Sequence, residues 1–84
     1  MKFYYVTFRS VTFAQKAERV LKRSGVDCTI QRTPKELSQR GCGYCIRLRP
    51  GQAMRAKQLL DAEKLDYGKV YGARADGGIE ELHL

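Results

Sequence analysis

A chain of 84 residues, 43% hydrophobic and 30% charged, has room for one domain (residues 1–84) around one core, and none for a deep cofactor cavity. Sixteen Lys+Arg against nine Asp+Glu give a net charge of +7, which excludes an acidic chain and favours polyanionic partners. No apolar run approaches the ~18 residues of a membrane span, so no membrane partner is expected, and the amino terminus reads as a strand and not as a signal peptide.

The first strand is expected at Phe3–Phe8, rich in aromatic and β-branched residues. Ser10 offers an N-cap, after which Phe13, Ala14, Ala17, Val20 and Leu21 follow at helical spacing until Gly25 stops the helix. Residues 26–31 alternate strictly, turning Val26, Cys28 and Ile30 inward, and Pro34 ends that strand. Residues 34–44 are irregular. Alternation resumes at 45–49 with Ile46 and Leu48 on one face. Pro50 and Gly51 punctuate, and a second helix is expected from about Gln52 to Lys64, burying Ala53, Ala56, Leu59, Leu60 and Leu65. A fourth strand reads over 69–74. Asp76-Gly77-Gly78 forms a turn, and residues 79–84 are a short tail or an extra edge strand.

This order, β-α-β-β-α-β, predicts an α+β fold of ferredoxin-like type, a two-layer sandwich with both helices on one side of the sheet. The other side is then expected to show Phe3, Tyr5, Thr7, Thr29, Cys45, Arg47, Arg49, Lys69 and Tyr71 to solvent. Such a face is an amphipathic exterior, a homodimer contact or a binding surface. The charge is uneven along the chain: residues 1–58 carry +10 and residues 59–84 carry −3. On charge alone, a solvated surface outweighs nucleic-acid binding.

Three cysteines, Cys28, Cys42 and Cys45, form an odd set, and with no export signal the expected compartment is the reducing cytoplasm. The informative stretch is Arg40-Gly41-Cys42-Gly43-Tyr44-Cys45. Its two cysteines are spaced as CxxC, close enough for a disulfide. Gly41 and Gly43 strip side-chain bulk from both sides of Cys42, Arg40 places a fixed positive charge beside it, and Arg47 follows on the next strand. Those features favour thiolate chemistry at Cys42, against the plainer reading of a glycine turn with two small apolar fillers. A thioredoxin-type site would need a helix after the CxxC, where this chain has a strand. Zinc would need Cys28, Cys42, Cys45 and His83 to converge or two chains to share a site, whereas Cys28 falls on core-facing positions. No metal or other cofactor is expected.

Val6-Thr-Phe-Arg-Ser10, the helix pattern Ala14-x-x-Ala17-Glu18-x-x-Leu21-Lys22-x-x-Gly25, then Pro34-Lys-Glu-Leu-Ser38 and Cys42-Gly43 follow one another at close spacing. Over about residues 3–73 the sequence resembles the selenium/sulfur carrier protein-like family of small bacterial proteins. The resemblance implies a small carrier holding sulfur or selenium on a cysteine, with Cys42 at the matching position. Such a carrier works with partner enzymes, a cysteine desulfurase or selenium donor and an acceptor protein, without turnover of its own. Cys45 would then be a resolving thiol, able to attack the inner sulfur of a loaded Cys42 and expel hydrosulfide.

A different class of reading stays open. Residues 40–47 partly match the RNA-recognition octamer [K/R]-G-[F/Y]-[G/A]-F-V-x-[F/Y]. Tyr44 fits one aromatic position, while Cys42 and Arg47 replace the other two, which argues against RNA. A third reading is an adaptor that dimerises through its sheet face.

Overall fold

Alternating two-residue and helical periods produce the elements in the expected order, with one strand added at the end. The computed structural model describes residues 2–34 and 43–82. In it β1 (Phe3–Phe8), α1 (Val11–Arg23), β2 (Cys28–Arg32), β3 (Tyr44–Leu48), α2 (Ala53–Ala62), β4 (Val70–Ala73) and β5 (Ile79–Leu82) follow one another. The sheet order is β2-β3-β1-β4-β5, and every neighbouring pair is antiparallel. Each helix therefore crosses over one intervening strand, which makes the fold a ferredoxin-like α+β sandwich. Of the two readings of the carboxy-terminal segment, the edge strand is the one formed, with Ile79 opposite Ala73 and Leu82 opposite Val70.

Local chemistry explains the boundaries. The Ser10 side chain accepts the Phe13 N–H at 3.4 Å and caps α1, whose last turn carries Lys22 and Arg23 where a helix terminus favours cations. The helix stops in a Schellman motif: Gly25 N–H donates to the Lys22 carbonyl at 3.0 Å, and Val26 N–H donates to the Leu21 carbonyl at 2.9 Å. Gly25 takes φ +81°, and Val26 and Leu21 are both buried. Because Val26 closes the helix stop, β2 begins at Cys28 and not at residue 26.

The second helix stops the same way with a different residue at the critical position. Lys64 N–H donates to the Asp61 carbonyl and Leu65 N–H to the Leu60 carbonyl, both at 3.0 Å. Here the left-handed residue is Lys64, at φ 55°. A β-carbon there costs about 1 kcal/mol or more, part of which glycine returns as unfolded-state entropy. Lys64→Gly is expected to stabilise the fold by about 0.5–1 kcal/mol, read as a higher denaturation midpoint at unchanged slope.

One face of the sheet and one stripe of each helix meet in the core. Val6 and Phe8 of β1, Ile46 and Leu48 of β3, Cys28 of β2 and Val70 of β4 pack with Ala14, Ala17, Leu21, Ala56 and Leu60 of the helices. The alanines let the helices lie close to the sheet, while Leu21 and Leu60 fill the space between. Leu59 and Leu65 are partly buried against the same cluster, as their spacing predicts. Among the described residues, no helix is long and apolar enough to cross a membrane.

Candidate functional site

The segment that the sequence singles out joins β2 to β3. Arg40, Gly41 and Cys42 lie outside the described residues, as does His83. On the β2 side, the pairing continues one step past the strand: Thr33 N–H donates to the Gly43 carbonyl at 3.1 Å. Gly43 thus sits at the mouth of the β2–β3 hairpin, directly after Cys42 in the chain, with open space where a side chain would be.

From Gly43 onward, strand alternation sends the candidate residues to opposite faces. Tyr44 stands opposite Phe8 and Arg32 and packs against the core, on the helix side. The Arg32 guanidinium lies 5.7 Å from its ring centroid, within cation–π range. Cys45 points the other way, opposite Thr7 of β1 and Gln31 of β2. Arg47 shares that face and lies 4.7 Å from the Phe3 ring centroid. The octamer reading therefore loses its one aromatic: Tyr44 is on the wrong side of the sheet to meet a base beside Arg47.

The expectation that Cys45 and Thr7 face solvent is overturned. Cys45 is 0% exposed and Thr7 2%. For Thr7 the cover is the chain leading into β4. Gly68 N–H donates to the Thr7 carbonyl at 2.7 Å, Thr7 N–H donates to the Lys69 carbonyl at 3.0 Å, and Lys69 N–H donates to Thr7 Oγ1 at 2.9 Å. A β-carbon on Gly68 would lie 2.5 Å from Thr7 Oγ1, so only glycine lets this segment come so close.

Burial sets the chemistry of the two described thiols, both of which are free. Desolvation pushes Cys45 up to about 11, against weaker downward pulls from the Thr33 hydroxyl and the Arg47 charge. The Thr33 hydroxyl is buried and has no hydrogen bond of regular geometry among the described residues, so its pull on the thiol is weak beside desolvation. Cys28 is also raised, first by burial and then by Glu18. At neutral pH both are protonated, and a protonated thiol is neither a nucleophile nor a metal ligand. Cys28 lies on the helix side and Cys45 on the other, so the two cannot reach one zinc ion through the sheet. Among the described residues there is no group of three or more His, Cys, Asp or Glu placed to hold a metal.

Sequence reasoning missed Thr33, whose role follows from continuing the Thr29, Gln31 alternation by one residue. It also missed the cover that the Gly68–Lys69 segment gives Thr7.

Comparison with known protein families matches most of the chain. The family described as "Putative Se/S carrier protein-like" matches residues 3–72. No curated protein matches the chain, and neither does any solved structure.

Proposed function

The chain belongs to the Se/S carrier protein-like family, and we propose that it holds a sulfur or selenium atom on Cys42 and passes it from a donor enzyme to an acceptor. Membership supports a carrier role in general. The assignment to Cys42 rests on the Cys42-Gly43 pair within the matched stretch and on the state of the other two thiols, which are buried with raised pKa. Loading is a transfer between sulfurs. The Cys42 thiolate attacks the outer sulfur of a persulfide on the donor, the donor's S–S bond breaks, and its thiolate leaves. Delivery reverses the roles: an acceptor nucleophile takes the outer atom, and Cys42 departs as thiolate. A zero-valent atom moves in both steps, so no outside oxidant or reductant is consumed, and selenium follows the same route.

Cys45 gains a different role from the one its spacing suggests. An attack on the inner sulfur of loaded Cys42 would form the Cys42–Cys45 disulfide and expel hydrosulfide. That attack needs a Cys45 thiolate, which burial opposes while β2 and β3 stay paired. The loaded atom is thereby kept for the acceptor. Arg40, next but one to Cys42 in the sequence, would favour its thiolate, whereas Arg47 is engaged with Phe3.

The test is loading in vitro with a cysteine desulfurase and free cysteine, followed by intact mass. Wild type is expected to gain the mass of one sulfur atom, and Cys42→Ser to gain nothing. Failure of the wild type to load would overturn the reading.

A further inference from the structure

The face of the sheet away from the helices takes no part in sulfur transfer as proposed, yet its residues are unlike those of an ordinary solvated exterior. Strand register sets Thr29, Arg47, Tyr5, Tyr71 and Glu81 in one row across all five strands. Phe3 lies two residues along β1 from Tyr5 on the same face. The Arg47 guanidinium is stacked on Phe3 at 4.7 Å from the ring centroid. Tyr5 and Tyr71 are each only partly buried, so two rings on adjacent strands keep surface in reach of a ligand. Beside Phe3, a cleft of about 330 Å³ is bordered by Asp27, Thr29, Arg47 and Arg49.

We propose that this face binds single-stranded nucleic acid, with bases stacking on Tyr5 and Tyr71 and the phosphate backbone following Arg47 and Arg49. Charge selects this occupant over a second copy of the chain. The face carries Arg47, Arg49 and Lys69 against Asp27 and Glu81, and the two arginines stand together at the β2–β3 side, where a polyanion is attracted and a second copy would bring like charge against like. The rings select a single strand over a duplex, because unpaired bases have π-faces to offer and paired ones are already stacked. Acidic groups bound the track. Asp27 lies 3.3 Å from Arg49, and Glu81 lies 3.3 Å from Lys69 at the β5 side, while Arg47 rests on an aromatic ring. The rings come from β1 and β4, so the platform owes nothing to the octamer over residues 40–47, whose Tyr44 faces the helices.

Fluorescence anisotropy of the full chain with labelled single-stranded RNA and DNA of about ten nucleotides tests this. Binding is expected at low salt, with log affinity falling linearly in log salt. Tyr5→Leu and Tyr71→Ser are each expected to weaken it about 5- to 150-fold, the equivalent of about 1–3 kcal/mol per lost stack, and Arg47→Gln to flatten the salt slope. Cys42→Ser is expected to bind as wild type does. If Tyr5→Leu fails to fold, Tyr71→Ser and Arg47→Gln carry the test, with circular dichroism showing that they keep the fold. The proposal is overturned if neither strand binds at low salt, or if the folded variants bind like wild type. It is equally overturned if a duplex or heparin competes as well as the single strand, or if light scattering shows a dimer that Tyr71→Ser dissolves.

Discussion

Alkylation of the folded protein at neutral pH is expected to modify Cys45 at least about 100-fold more slowly than an unperturbed thiol. That figure comes from the acid–base term alone: about two pKa units separate its ordinary 9.0 from about 11, and each unit is a tenfold loss of thiolate. Its 0% exposure slows the reaction further. The same shift makes stability fall with alkali. Above pH 9 the unfolded chain releases the Cys45 proton while the folded chain keeps it, so the unfolded state binds fewer protons and gains. The stabilisation is complete below pH 9 and lost as pH rises towards 11, a change of about 2–3 kcal/mol. Burial also raises Cys28 and Tyr67, so the readout is the difference between wild type and Cys45→Ala. Denaturation midpoints of the two proteins should converge between pH 9 and 11. Parallel profiles would mean that Cys45 is already ionisable in the folded state.

The second large effect is expected at the crossing of the segment before β4 over β1. Gly68→Ala places a methyl group 2.5 Å from Thr7 Oγ1 and 3.2 Å from the Thr7 carbonyl, where neither the backbone nor a buried, hydrogen-bonded hydroxyl can move away. A loss of about 1–3 kcal/mol follows, as for other overpacked interiors. Thr7→Ala removes the partner of the Lys69 N–H and is expected to cost about 1–3 kcal/mol itself. The two changes share one clash, so the double variant should be less destabilised than the sum, with a coupling of about 0.5 kcal/mol or more. Urea unfolding of the four proteins measures it, and simple additivity would show that the two groups do not meet.

The architecture was legible because each local signal agrees with the next. Ser10 caps α1 and Gly25 ends it, both on residues whose chemistry admits few other roles. The inward parity of Val6, Phe8, Cys28, Ile46 and Leu48 follows from alternation alone. What escaped depends on partners far away in the chain. Nothing near Thr7 in sequence announces that residues 68 and 69 will lie against it, so alternation assigned Thr7 to solvent. Cys45 has the predicted parity, but it is buried and not exposed. Lys64 gives no sign of a left-handed backbone, because the helix stop there is imposed by the Leu60–Leu65 pairing and not by a glycine. Tyr44 shows two signals in conflict. The octamer placed it among stacking residues, the parity of Ile46 and Leu48 placed it inward, and parity prevails because the core is what fixes register. Of the candidate site, the cysteine spacing and the glycines around Cys42 could be read directly. The burial of Cys45 could not, since burial is a property of the folded chain.

As proposed, the transferred atom sits on Cys42 and stays there. This is tested most directly by loading wild type with a cysteine desulfurase, blocking with an alkylating reagent, and fragmenting the tryptic peptide 41–47, which contains both Cys42 and Cys45. One added sulfur on Cys42 is expected, with Cys45 an unmodified thiol. An added sulfur on Cys45, or a Cys42–Cys45 disulfide with released hydrosulfide, would contradict the proposal.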